Sequence, residues 1–123
     1  MIFSDEMDGK ALSKPAAINQ NSDFRRIYAR GRSYPSSALV TYVMKNRRDA
    51  VRYGITAGKK IGNAVERNRS RRVIRAAFFE LFPSIQEGCD IVFVARSKTK
   101  YLKSHQVKKA MWKQLSDAGV IKE

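Results

Sequence analysis

Between positions 59 and 75 stand seven basic residues, Lys59, Lys60, Arg67, Arg69, Arg71, Arg72 and Arg75, against one acid, Glu66. Five of the seven are arginines, whose planar fork binds a phosphate at two points at once. Asn63 is placed to start a helix, and a helix N-terminus adds backbone donors for an anion. The chemistry on offer is therefore phosphate binding, without sequence preference and steeply weakened by salt. Bond-breaking chemistry has less to work with. His105 is the only histidine and reads as an exposed, inert group on the last helix. Asp23, Asp49, Glu80 and Asp90 form no recognisable ligand spacing. Neither a carboxylate cluster for magnesium nor a histidine acid–base pair is expected.

The charge of the whole chain agrees. Its 123 residues carry 25 Lys and Arg against 11 Asp and Glu, a formal charge of +14. Self-repulsion on that scale suits an anionic partner, and nucleic acid fits better than an acidic membrane surface. No apolar run approaches the roughly 20 residues of a membrane span. The first residues lack the basic start and apolar stretch of a secretory signal. Cys89 is the only cysteine, so no internal disulfide is possible. It precedes an apolar run and is expected to be a core thiol, which fits a cytoplasmic setting.

These residues need a frame. Residues 1–20 are small and polar without periodicity and read as a flexible tail. A single domain is expected over 21–119, followed by a short C-terminal end, 120–123. Ser22 is placed to cap a first helix that runs to Arg30 and ends at Gly31. Phe24, Ile27 and Tyr28 share one side of it. Leu39 to Met44 reads as a strand with both faces covered, and Val51 to Ala57 as a strand of period two. The polar turn Asn46–Asp49 between them predicts a hairpin. A long helix starts at Asn63 and stops before Pro83. Ile91 to Ala95 reads as a central strand. A last helix, about Ser104 to Ala118, carries Val107, Ala110, Met111, Gln114 and Leu115 on one stripe, and Gly119 ends it. The order α-β-β-α-β-α predicts an α/β sandwich of the α+β kind, with helices packed on a mixed central sheet.

At about 100° per residue, Val73, Ile74, Ala77, Phe78 and Leu81 share one side of the long helix. Arg67, Asn68, Arg71, Arg72 and Arg75 occupy the other, with Arg69 at its edge. The helix is expected to enter the core from Val73 onward, its first turns facing solvent or a ligand. A DNA-groove helix would need a partner helix at helix-turn-helix spacing, and a strand pair stands there instead. A membrane-surface helix would need the apolar side that the core requires.

The run Lys59-Lys60-Ile61-Gly62-Asn63-Ala64-Val65-Glu66-Arg67-Asn68-Arg69-Ser70-Arg71-Arg72-Val73-Ile74-Arg75 closely resembles the signature of the bacterial ribonuclease P protein subunit. Asn21-Ser22-Asp23-Phe24 also looks like the family's opening of its first helix. The resemblance covers roughly residues 21–115. It implies a ribosomal protein S5 domain 2-like fold with a left-handed βαβ crossover, against the right-handed rule that holds for about 98% of such units. It implies a non-catalytic protein subunit of an endoribonuclease that removes the 5′ leader of precursor tRNA. Catalysis and its Mg2+ would belong to the ribonuclease P RNA, which this chain would bind as a monomer, one to one. It also implies two sets of site residues. Lys59, Lys60, Asn63, Arg67, Asn68, Arg69, Arg71, Arg72 and Arg75 would form the RNA-binding motif. Phe24, Tyr28, Val40, Tyr42, Arg52 and Thr56 would line a cleft for the single-stranded leader.

For the aromatics, core packing is the competing reading, and single strands do stack on aromatic platforms beside basic grooves. The resemblance implies that Tyr28 and Tyr42 are the more exposed and Phe24 the less. Three departures stand out. The family often has serine where Thr56 and Gly58 stand. The segment before the first helix is often basic, whereas here it reads Ala16-Ala17-Ile18-Asn19-Gln20. Only Lys122 is basic after the last helix. Two other function classes compete: a structural RNA-binding protein of ribosomal type, and a protein-only nuclease.

Overall fold

A computed structural model describes residues 15–122. Five strands and three helices follow one another as β1 (Ala16–Ala17), α1 (Asn21–Arg30), β2 (Arg32–Pro35), β3 (Leu39–Lys45), β4 (Val51–Thr56), α2 (Ala64–Leu81), β5 (Cys89–Ala95) and α3 (Ser104–Asp117). They form one mixed sheet in the order β1-β4-β5-β3-β2. β4 runs parallel to β5 and to β1, whereas β3 is antiparallel to β5 and to β2. The helices α2 and α3 cover one face, with Ile74, Phe78, Val107 and Met111 packed on Leu39, Ile91 and Phe93. The other face carries α1, whose Ile27 packs with Ile18 and Val92. The α/β sandwich expected from the sequence is therefore present.

β5 is central because it is apolar on both sides, so only a position between two strands and two helix layers removes it from water. That placement overturns the predicted hairpin: β3 and β4 are not neighbours, since β5 lies between them. The segment from Asn46 to Ala50 spans two strand spacings, about 10 Å, which five residues reach easily at about 3.3 Å each. Gly88, leading into β5, ties both sides. It accepts from the N–H of Asn46 (2.8 Å) and donates to the carbonyl of Ala50 (3.0 Å).

Other boundaries also move. The chain is already in the sheet at Ala16, and Ile18 is buried with its N–H on the Tyr53 carbonyl (2.7 Å). The domain therefore takes in part of the predicted tail; the rest of that tail, residues 1–14, lies outside the described residues. Helix α1 starts one residue before Ser22, with Gln20 as N-cap and no side-chain cap. The turn is instead closed by the Gln20 carbonyl, which accepts from Asp23 and Phe24. The edge strand β2 escapes a hydrophobic reading because Arg-Ser-Tyr-Pro has no alternation. At a sheet edge, Pro35 and an exposed Arg32 are tolerated. The C-terminal segment is stitched down by an Ile85–Ile121 bridge and by bonds from Gln86 to Val120 and from Lys122 to Ser84. Cys89 is a core thiol, and burial pushes its pKa up to about 12.

One contact fixes how α1 sits. Gly54 is buried under the ring of Phe24, and a Cβ there would stand 2.6 Å from it. Gly54→Ala is expected to cost about 1–3 kcal/mol through overpacking. In a Phe24→Leu background the same change should cost much less. Equal costs in both backgrounds, measured by denaturant unfolding, would show that the ring does not set the limit.

Candidate nucleic-acid interface

The basic run is held by its own local chemistry. The side chain of Asn63 accepts from the N–H of Glu66 (2.9 Å), and the Glu66 carboxylate accepts from the N–H of Asn63 (3.0 Å). This reciprocal cap satisfies two donors at the start of α2. Gly62 before it has φ +144°, and any Cβ there would strike the Glu66 carboxylate. The Asn63 N–H, and after it Lys100, hold the Glu66 carboxyl below the usual carboxylate range. Lys100 also donates to the carbonyl of Ile61 (2.7 Å), which locks the short turn carrying Lys59 and Lys60.

The arginines then divide into two groups. Arg67 donates to the carbonyl of Gly62 (2.8 Å), and Arg69 to those of Lys100 (2.9 Å) and Leu102 (3.3 Å). Arg71 donates to Asn68 (3.0 Å) and to the carbonyl of Ala57 (3.4 Å). These three brace the turns around the helix start. The side chains of Arg72, Arg75, Lys59 and Lys60 are exposed and have no hydrogen-bond or ion-pair partner among the described residues. Their charge is open to a ligand. Val65, Asn68, Arg71, Arg72 and Arg75 line a groove of about 490 Å³.

Helix α2 enters the core one turn earlier than expected, because Ser70 is fully buried. Its hydroxyl donates back to the carbonyl of Glu66 (3.1 Å), so no polar group is stranded.

A second surface lies on the α1 side of the sheet. In register across the strands, Thr56 of β4 stands beside Val94 of β5, and Val94 beside Val40 of β3. Val94 is partly exposed and was not singled out by the sequence; its place between Thr56 and Val40 follows only from the pairing. The ring of Tyr28 meets that of Tyr42 edge-on at 5.0 Å, and its hydroxyl lies 3.2 Å from the Thr56 hydroxyl. Tyr28 is 40% exposed, whereas Tyr42 and Phe24 are half-buried, Phe24 against Gly54. Beside them a cavity of about 500 Å³ is lined by Asn21, Phe24, Arg25, Tyr28, Thr56, Gly58 and Arg71. Arg71 borders both the groove and this cleft, so the two cavities adjoin at its side chain. Asn21 and Arg25 join the cleft from the outer turns of α1. Gly58 brings no hydroxyl, and a Cβ there would meet open space.

Arg52 stands apart from this surface. It lies four residues from Thr56 along β4, and Asp90 takes its guanidinium through two bonds, 2.9 and 2.6 Å. Asp23 (3.5 Å) shares Arg52, Arg26 pairs with Asp23 (2.9 Å), and Asn46 donates to Asp90 (2.7 Å). Burial alone would raise the Asp90 pKa. The bonds from Arg52 and Asn46, with the charges of Arg52 and Arg26, outweigh burial and hold it below the ordinary carboxylate range. Arg52 therefore anchors α1 to the sheet and leaves little charge for a ligand. The same pairing neutralises Asp23 and Asp90. Among the described residues no cluster of three or more His, Cys, Asp or Glu side chains is placed to hold a metal. Nor is any described helix long and apolar enough to cross a membrane.

Comparison with known proteins gives this surface a context. The family profile described as Ribonuclease P matches residues 12–119. The ribonuclease P protein component of Clostridium novyi is 40% identical over 111 residues, 89% of this chain and 98% of that protein. That of Oceanobacillus iheyensis is 37% identical, covering 90% and 93%. Among solved structures, the Staphylococcus aureus RNase P protein superposes with a TM-score of 0.77 at 36% identity, over 88% of this chain and 99% of that one. The Thermotoga maritima protein does so with 0.73 at 28% identity, over 82% and 96%. Sequence, fold and the ordered basic motif agree, and the chain belongs to the ribonuclease P protein family.

Proposed function

We propose that the chain is the protein component of ribonuclease P, acting in the removal of the 5′ leader from precursor tRNA. In this reading the catalytic centre and its Mg2+ lie in the RNA subunit. Asp23 and Asp90 are already paired with arginines and offer a metal little. The protein works as one copy per RNA, in the cytoplasm. The open cations on α2 and its preceding turn grip the RNA, and the cleft under α1 holds the single-stranded leader. The observation that carries this is Arg71: it borders both surfaces, so a strand leaving the RNA contact passes directly onto Tyr28 and Thr56. An aromatic platform beside a basic groove is the usual arrangement for single strands.

Reconstitution tests the reading. Protein freed of RNA should leave precursor tRNA intact, and should stimulate a bacterial ribonuclease P RNA at low magnesium. Cleavage by the protein alone would overturn the assignment of the active site to RNA. Absence of stimulation would favour the structural RNA-binding protein. Shortening the leader to a single nucleotide should remove most of the protein's effect on substrate affinity; an unchanged affinity would sink the cleft assignment.

A further inference from the structure

A cavity of about 950 Å³, larger than the cleft, opens between α3 and the turn joining β2 to β3. Its floor includes Tyr34, Ala110 and Gln114. The Gln114 amide is fully engaged: it donates to the carbonyls of Tyr34 (2.6 Å) and Leu39 (2.9 Å) and accepts from the Thr41 hydroxyl (2.6 Å). The Gln114 amide is thus committed, and the lining presents mostly apolar surface. The rim differs. Lys98, His105, Lys109 and Lys113 stand around it, and its one acid, Asp117, is held by Lys113 at 3.3 Å. Trp112 lies at the margin, 44% exposed.

Lysines beside an exposed indole and an apolar floor suit a single-stranded nucleic acid: the base covers apolar surface and the phosphates meet the cations. An acidic peptide would meet the same charge, but the groove's position favours RNA. Its end at Leu102 and His105 adjoins Lys103 and Ser104, which share a smaller cavity with Arg69 and Arg72. Lys103 thus shares a cavity with Arg72 and directly follows Leu102 of the larger groove.

We propose that this groove is a second RNA site, taking an unpaired nucleotide of the same RNA that α2 grips. The base lies on Trp112 and the apolar floor, and the flanking phosphates on Lys98, Lys109 and Lys113. The site rests on the function proposed above, since it needs that RNA bound at Arg72.

Trp112 is the only tryptophan in the chain, so its emission reports on this groove alone. The full-length protein is titrated with labelled ribonuclease P RNA, with RNA anisotropy and indole emission read in the same samples, with and without iodide. Bound RNA should quench the indole and shield it from iodide. Lys109→Ala with Lys113→Ala should weaken RNA binding about tenfold and diminish the quench. Binding with unaltered emission and iodide access would overturn the groove and leave the proposed function standing. Absence of any binding would overturn that function, and the groove with it. Quenching by polyglutamate but not by RNA would overturn the RNA site in favour of an acidic peptide.

Discussion

Asp90→Ala is expected to lower the unfolding free energy by about 3–5 kcal/mol, the range found when one partner of a buried ion pair is removed. The Asp90 side chain is 2% exposed and that of Arg52 13%, so the guanidinium left behind would have little access to water. Most of the cost comes from that poorly hydrated charge, left with only the long contact to Asp23 (3.5 Å), rather than from the pair's own attraction. Replacing both partners, Arg52→Met with Asp90→Leu, should therefore recover a large part of the loss. A double variant no more stable than Asp90→Ala would show that the stranded arginine is not the cause. Acid should act in the same direction. The folded-state pKa of Asp90 is depressed, so its contribution is complete above the unfolded value of about 3.9 and is lost as pH falls through the folded one. Stability of the native protein should fall below about pH 4, and the double variant should lack that part of the fall. Leader affinity should follow stability, because the Asp90 network anchors the helix that carries Phe24 and Tyr28.

The second large effect is on RNA binding. Arg72→Ala with Arg75→Ala should reduce the slope of log K against log salt by about 1.4–1.8, at about 0.7–0.9 per phosphate contact. Affinity at moderate salt should fall by about tenfold or more. Both side chains are exposed and without partners among the described residues, so unfolding midpoints should barely move. Arg67→Ala should behave differently, since Arg67 bonds the carbonyl of Gly62 and steadies the turn bearing Lys59 and Lys60. There a loss of stability should accompany the loss of affinity. An unchanged salt slope in the Arg72 and Arg75 variant would show that these residues do not meet phosphate.

What was legible in the sequence was local. The Asn63 cap, the Pro83 stop and the split between the Val73–Leu81 stripe and the arginines depend on residues three or four apart, and the structure keeps them. The central place of the Ile91–Ala95 segment was readable because apolar residues on both faces leave few alternatives. Strand partners were not readable. The short turn at Asn46 looked like a hairpin, yet its two strands flank β5, whose burial outweighs the closeness of the turn. β1 and β2 have no pattern of their own and exist as strands because β4 and β3 offer them a ladder.

The basic motif was thus determined by the sequence alone: its residue types, its order and the helix that displays it all arise within one short stretch. Which of its arginines remain open was decided only by tertiary structure. Arg69 is engaged by the carbonyls of Lys100 and Leu102, more than thirty residues away, while Arg72 and Arg75 have no such neighbour among the described residues. Likewise Arg52 resembled a cleft residue until the fold set Asp90 beside it, 38 positions on. A guanidinium is committed by whichever oxygens the fold brings within about 3 Å, and the spacing of residues along the chain does not contain that information.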